Sequence, residues 1–153
     1  MPIVADQPAP DFEALAHDGT TVRLSESHGR WLLLWFYPEA DTPDCTTEAC
    51  ALNTQVQQFA SMHCDILGVS FDDQAKNAAF AEKFGLKYRL LCDTDQRLGA
   101  LYDAIETIGP DAGWPKRTSF LIDPSHTVVR VYDPVNPELH AATVLRDLEL
   151  AQD

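Results

Sequence analysis

The sequence predicts a mixed α/β domain, and three observations carry that reading. The run Trp31-Leu32-Leu33-Leu34-Trp35-Phe36-Tyr37 is continuously apolar, too short to span a bilayer, and of the length of a buried strand. Further runs rich in β-branched and aromatic residues alternate with segments of helical period, the pattern of strands joined by crossover helices. A chain of 153 residues, 45% of them hydrophobic, is long enough for one ordinary core and too short for two comfortable domains, so residues 1–153 are read as one domain.

The elements follow in chain order. Residues 12–24 read as a hairpin around Asp18-Gly19, a favoured turn pair. Strand 31–37 comes next, then a helix over 46–60 with Ala49, Leu52, Val56 and Phe59 on one face. A second core strand is expected at 65–71, a helix at 74–84, a short strand at 89–92 and a further short helix within 95–104. Strands 118–123 and 127–132 flank a turn at Asp123-Pro124-Ser125-His126. The last helix is expected to start at Asn136, a capping residue with Pro137 in the first helical position. Right-handed crossovers between these strands imply a largely parallel sheet core. The chain holds no repeat, no low-complexity stretch and no Gly/Ser linker.

A formal net charge of −13 argues against a nucleic-acid or anionic-membrane partner, since both require a basic surface. Residues 1–7 are short and hold Asp6, unlike the basic start and apolar stretch of a secretory leader, so a soluble, non-secreted, cytoplasmic protein is expected. In such a chain four cysteines point to catalysis, redox activity or simple burial before a disulfide framework.

Cys45 stands where strand 31–37 hands over to a helix N-terminus. Unpaired N–H groups and the positive end of the helix dipole favour a thiolate there, and the thiolate is the reactive species. Cys45 is therefore the candidate nucleophile. Five residues on, Cys50 would lie about 7.5 Å farther along an intact helix axis and face another way, whereas a disulfide needs Cα atoms within roughly 7 Å. A Cys45–Cys50 bond would require the first helical turns to unwind.

The segment Pro38-x-x-x-Thr42-x-x-Cys45, followed by Thr46-Thr47-Glu48-Ala49-Cys50, resembles the active-site loop of the peroxiredoxins, and the second cysteine at that distance resembles their Q-type, or bacterioferritin-comigratory, branch. The likeness extends over Pro8-Ala9-Pro10-Asp11-Phe12, Phe36-Tyr37-Pro38, Ile66-Leu67-Gly68-Val69-Ser70 and Arg117-Thr118-Ser119-Phe120-Leu121-Ile122-Asp123. It implies a thioredoxin-like fold, a central mixed sheet flanked by helices with an N-terminal β-hairpin extension. It implies a thiol-dependent peroxidase acting on hydrogen peroxide and organic hydroperoxides, with no cofactor or metal. By that likeness Cys45 is the peroxidatic residue, Thr42 holds the peroxide, Arg117 favours the thiolate and polarises the O–O bond, and Pro38 shields the sulfur. Cys50 is then the resolving thiol, recycled by thioredoxin or a similar dithiol, in a monomer or weak dimer. The chain departs from the family in carrying Asp44, where glycine is usual, immediately before Cys45.

Other readings fit less well. A zinc site drawing on Cys45, Cys50, Cys64, Cys92 and His63 lacks paired short spacings. A disulfide reductase would want Cys-x-x-Cys, and a serine hydrolase its elbow motif. A peroxide-responsive sensor or chaperone-like binding module is the alternative, because unwinding of the helix would expose a new surface. Cys64 and Cys92, each at a strand edge, read as buried structural residues. Trp114 reads either as a lining of the pocket mouth or as packing.

Overall fold

The computed structural model describes residues 4–27 and 29–152; residues 1–3 of the segment read for a leader lie outside them. Its centre is strand β4 (Trp31–Phe36), paired in parallel with β5 (Cys64–Ser70) and antiparallel with β7 (Thr118–Ile122). β6 (Arg89–Cys92) continues the parallel side, while β8 (Thr127–Tyr132) and β1 (Gln7–Pro8) extend the antiparallel side, giving the order β1-β8-β7-β4-β5-β6. The sheet is thus mixed, and the largely parallel core expected from the crossovers is confined to β4, β5 and β6. β2 (Glu13–Leu15) and β3 (Thr21–Arg23) form the expected hairpin, with Gly19 at φ +87° in its turn.

The apolar run at 31–37 exists because β4 is covered on both faces. Leu32, Leu34 and Phe36 pack with Phe12, Val22 and Leu24 of the hairpin region and with Leu98 of α4 (Arg97–Leu101). Leu33, Trp35 and Tyr37 face the opposite layer. That layer comprises α1 (Pro43–Thr54), α2 (Val56–Ser61), α3 (Gln74–Phe84) and α5 (His140–Gln152), which contribute Ala49, Leu52, Phe59, Phe80, Val144 and Leu148. Gly68 of β5 makes room for the Trp35 indole, since a Cβ there would stand 3.1 Å from the ring.

Two helical boundaries differ from expectation. The helix expected at 46–60 begins earlier, at Pro43, and divides at Gln55 (φ −102°, ψ 10°), whose N–H bonds back to Leu52. Pro43 supplies a helical φ and lacks only an N–H that a first turn leaves unpaired. The final helix begins at His140; Asn136 caps a preceding turn, its side chain accepting from the Glu138 N–H and its carbonyl from the Leu139 and His140 N–H groups. Helix 74–84 and strand 89–92 lie where expected. Among the described residues no helix is long and apolar enough to cross a membrane.

Candidate active site

Past Phe36 the chain makes one more sheet bond, from the Tyr37 N–H to the Val69 carbonyl, and then meets Pro38, which has no N–H to continue the ladder. Thr42 is extended (φ −95°, ψ 157°) and its carbonyl accepts from the Thr46 N–H, opening α1. The Thr42 hydroxyl donates to the Glu39 carbonyl at 2.8 Å. Cys45 is the third residue of the helix and is fully buried, while Asp44 before it is exposed. Its place inside the first turn, rather than just ahead of it, leaves it among the unpaired N–H groups of the helix start.

Arg117 reaches the same point from the neighbouring antiparallel strand, just ahead of β7 and on the face that carries α1. The β4–β7 register pairs Phe36 with Thr118, which brings Arg117 level with Tyr37 at the loop. Its Nη2 lies 3.4 Å from Cys45 Sγ and its Nη1 lies 3.2 Å from Glu48 Oε1. Burial works against the guanidinium charge, but Cys45 and Glu48 beside it outweigh that and raise its pKa. One cation is therefore shared by a thiol and a carboxyl three residues apart on one helix face.

Glu48 is completely buried, and burial, opposed by Arg117, pushes its carboxyl up to about 7. Its second oxygen, Oε2, has no hydrogen-bond partner among the described residues and lies 3.9 Å from Nε2 of His140, which has none either. Burial pushes the His140 imidazole down to about 4.

A pocket of about 520 Å³ opens over this cluster, lined by Pro38, Glu39, Thr42, Glu106, Asp111, Trp114, Pro115, Lys116 and Arg117. Three of the five candidate site residues, Pro38, Thr42 and Arg117, thus share one cavity, and Arg117 links it to Cys45 beneath. Trp114 lines the pocket and is 44% exposed. Cys50 lies partly buried in α1, its thiol raised by that burial, and all four cysteines are free thiols.

The remaining thiols sit apart from this pocket. Burial pushes Cys64 up to about 12, at the far end of β5. Cys92, also raised by burial, receives a contact from Asn77 Nδ2 at 3.5 Å, and Asn77 Oδ1 in turn accepts from the Tyr37 hydroxyl at 2.6 Å.

Several supports carry no sequence motif. Asp72 accepts from the Ala40 N–H at 2.8 Å, Lys76 pairs with Glu39 and Asp72, and Lys83 pairs with Asp41, so α3 and the segment before it hold the loop 38–42. The Tyr88 hydroxyl donates to the Ala49 carbonyl inside α1. Glu48 could have been singled out by its three-residue spacing from Cys45; nothing in the sequence connects His140 with it.

Residues 5–131 match the model of the AhpC/TSA family. The chain is 36% identical over 152 residues to Peroxiredoxin Bcp of Bacillus subtilis (strain 168), covering 97% of each protein. Its structure is similar to that of a cysteine-to-serine mutant of Xylella fastidiosa PrxQ, with a TM-score of 0.94 at 28% identity over 100% of this chain and 99% of the other. Peroxidoxin BcpB from Mycobacterium tuberculosis matches with a TM-score of 0.91 at 31% identity over 99% of each chain. These similarities extend to the thioredoxin-like fold.

Proposed function

The chain belongs to the AhpC/TSA family and is a thiol peroxidase, and from that premise we propose that Cys45 is its peroxidatic residue, with Thr42, Arg117 and Pro38 completing the site. The observation that carries this is the Arg117 guanidinium, which touches Cys45 Sγ on one side and lines the open pocket on the other. The Cys45 thiolate attacks one oxygen of a hydroperoxide in line; an S–O bond forms, the O–O bond breaks, and the other oxygen leaves as hydroxide or alkoxide and takes up a proton. Thr42 spends its hydroxyl proton on the Glu39 carbonyl, so its oxygen is free to accept a hydrogen bond from the peroxide. Arg117 supplies fixed N–H donors to the oxygens as charge develops. Pro38, on the pocket wall, limits water at the sulfur.

The product is a Cys45 sulfenic acid. Cys50 resolves it: its thiolate attacks the Cys45 sulfur, the S–S bond forms, the S–O bond breaks, and hydroxide leaves as water after protonation. In the intact helix burial raises the Cys50 thiol, so unwinding brings the sulfurs together and lifts that penalty on the second one. A thioredoxin-like dithiol then restores both thiols by exchange. Hydrogen peroxide and organic hydroperoxides are the substrates, and the enzyme works in the cytoplasm as a single domain, a monomer or weak dimer.

The test is intact mass with non-reducing peptide mapping after one equivalent of hydrogen peroxide, quenched by thiol alkylation. A Cys45–Cys50 linkage with loss of two hydrogens is expected. Linkage to Cys64 or Cys92 would reassign the resolver, and an unmodified Cys45 would overturn the assignment.

A further inference from the structure

Arg117 neutralises only one of the two acids it touches. With Cys45 ionised, a second negative charge on the fully buried Glu48 would leave the cluster with a net negative charge out of reach of water. Once the sulfur carries oxygen as a neutral sulfenic acid, the balance reverses: the partly buried Arg117 cation faces an uncharged sulfur, and the Glu48 carboxylate beside it becomes favourable. Given the Cys45 thiolate of the proposed reaction, the cluster is neutral in both states when Glu48 keeps a proton in the reduced protein and sheds it on oxidation.

His140 is placed to hold that proton. Its Nε2 and Glu48 Oε2 are both buried, both without a hydrogen-bond partner among the described residues, and 3.9 Å apart. A protonated Oε2 has a hydrogen to donate and a neutral imidazole nitrogen has a lone pair to receive it, so a closure of about 1 Å satisfies both. Burial acts on the two groups in the matching directions, raising the carboxyl and lowering the imidazole. The other titratable groups close to the pair are Cys45 and Arg117, Tyr88 just ahead of β6, and Tyr132 from β8, whose ring packs on His140 at 5.1 Å and whose hydroxyl is bonded to Asp147. Burial raises both phenols, which stay neutral near pH 7.

We propose that Glu48 and His140 form a buried proton store that empties when Cys45 is oxidised and refills when it is reduced. The first step then reads Cys45–S⁻ + Glu48–COOH + ROOH → Cys45–SOH + Glu48–COO⁻ + ROH. The sulfur loses two electrons to the O–O bond, and the proton leaving the pair balances the one the departing alkoxide takes up. Glu48 and His140 act here as positioning residues through Arg117, and the inference rests on Cys45 being the peroxidatic sulfur.

The experiment is an oxidised-minus-reduced infrared difference spectrum of the full chain at a pH just below 7, taken with Cys50→Ser to trap the sulfenic acid and with mass analysis of the same sample. A protonated-carboxyl C=O band should be lost on oxidation, should shift with ¹³C-labelled glutamate, and should be missing from Glu48→Gln. The isotope label keeps the test decisive should Glu48→Gln fail to fold, because Glu48 is the only buried glutamate among the described residues. His140→Phe, which keeps an aromatic ring but removes the acceptor, should move the carboxyl midpoint of the reduced protein to lower pH. A Cys45 sulfenic acid formed with no change in the carboxyl region would overturn the proton store and leave the peroxidase assignment intact. A Cys45 that takes up no oxygen would sink that assignment instead.

Discussion

The two faces of the central sheet are built to different rules. Among the described residues the hairpin face is apolar or paired: Phe12, Leu24, Phe36, Phe120 and Ile122 pack together, the Tyr102 hydroxyl donates to the Pro10 carbonyl, and the buried Asp93 accepts from the Leu98 and Gly99 N–H groups at the start of α4. The helical face holds the four buried polar atoms found without a partner among the described residues, Trp35 Nε1, Glu48 Oε2, Ser119 Oγ and His140 Nε2. Ser119 belongs there by strand alternation, because it shares its face with Leu121, and it pairs in register with Trp35. A buried polar atom without a partner costs on the order of 1–3 kcal/mol. One face is satisfied throughout its described residues, and the other gives up stability at these four atoms, two of which, on Glu48 and His140, face each other behind Arg117.

That contrast can be broken in graded steps. Phe36→Ala on the hairpin face should cost about 3–5 kcal/mol of stability by cavity formation, with peroxide turnover per folded molecule unchanged; denaturant melts beside initial rates check this. Arg117→Met should do the reverse, slowing peroxide reduction by about 10²–10³-fold while costing only about 1–3 kcal/mol of stability near pH 6 through the orphaned Glu48 oxygen, since the carboxyl itself can stay protonated. Rapid-mixing rates with hydrogen peroxide against melts at that pH separate the two effects.

A subtler break comes from pH. Burial raises the folded-state pKa of Glu48 from 4.5 to about 7, so its contribution to stability is complete below the unfolded pKa and is lost as pH rises to about 7. Burial lowers that of His140 from 6.5 to about 4, so its contribution is complete above 6.5 and is lost as pH falls to about 4. Between the two unfolded values, each state binds one proton in this pair and the two slopes cancel. Wild type should therefore show little pH dependence from this pair there. Glu48→Gln should gain stability with rising pH and His140→Phe should lose it, each by about 1.4 kcal/mol per pH unit. Denaturant melts at several pH values will show it, and parallel wild-type and variant curves would refute the crossed pair. The smallest effect belongs to Tyr88→Phe, which removes the bond to the Ala49 carbonyl. About 1 kcal/mol of stability should go, and the rate of Cys45–Cys50 linkage after peroxide should rise.

The contrast between faces also separates what the sequence announces from what it conceals. Strand β4, helix α3, the hairpin and the proximity of Pro38, Thr42 and Arg117 are readable, because periodicity and turn residues are local signals and the loop follows a recognisable pattern. The break at Gln55 is not, since residues 46–60 keep a helical period across it and nothing in their composition marks the bend. Asn136 is legible as a cap, but it closes a turn four residues ahead of the regular helix. The roles of Asp72, Lys76 and Lys83 depend on how α3 lies against the loop. The Glu48–His140 contact joins residues 92 positions apart, and only the packing of α5 on α1 creates it.

The division at Gln55 bears on how far a local event can travel. Helix formation is cooperative, and a helix of twelve residues is at the edge of standing alone in water. α1 persists because Ala49 and Leu52 are packed and Tyr88 grips its backbone, while the separate segment α2 is anchored by Phe59. α1 is therefore a short unit of its own, and the unwinding that the proposed Cys45–Cys50 linkage requires can stop at Gln55. On the proposed Cys45–Cys50 linkage, a fracture line set in advance confines the opening to a few turns and leaves the template for refolding standing beside it.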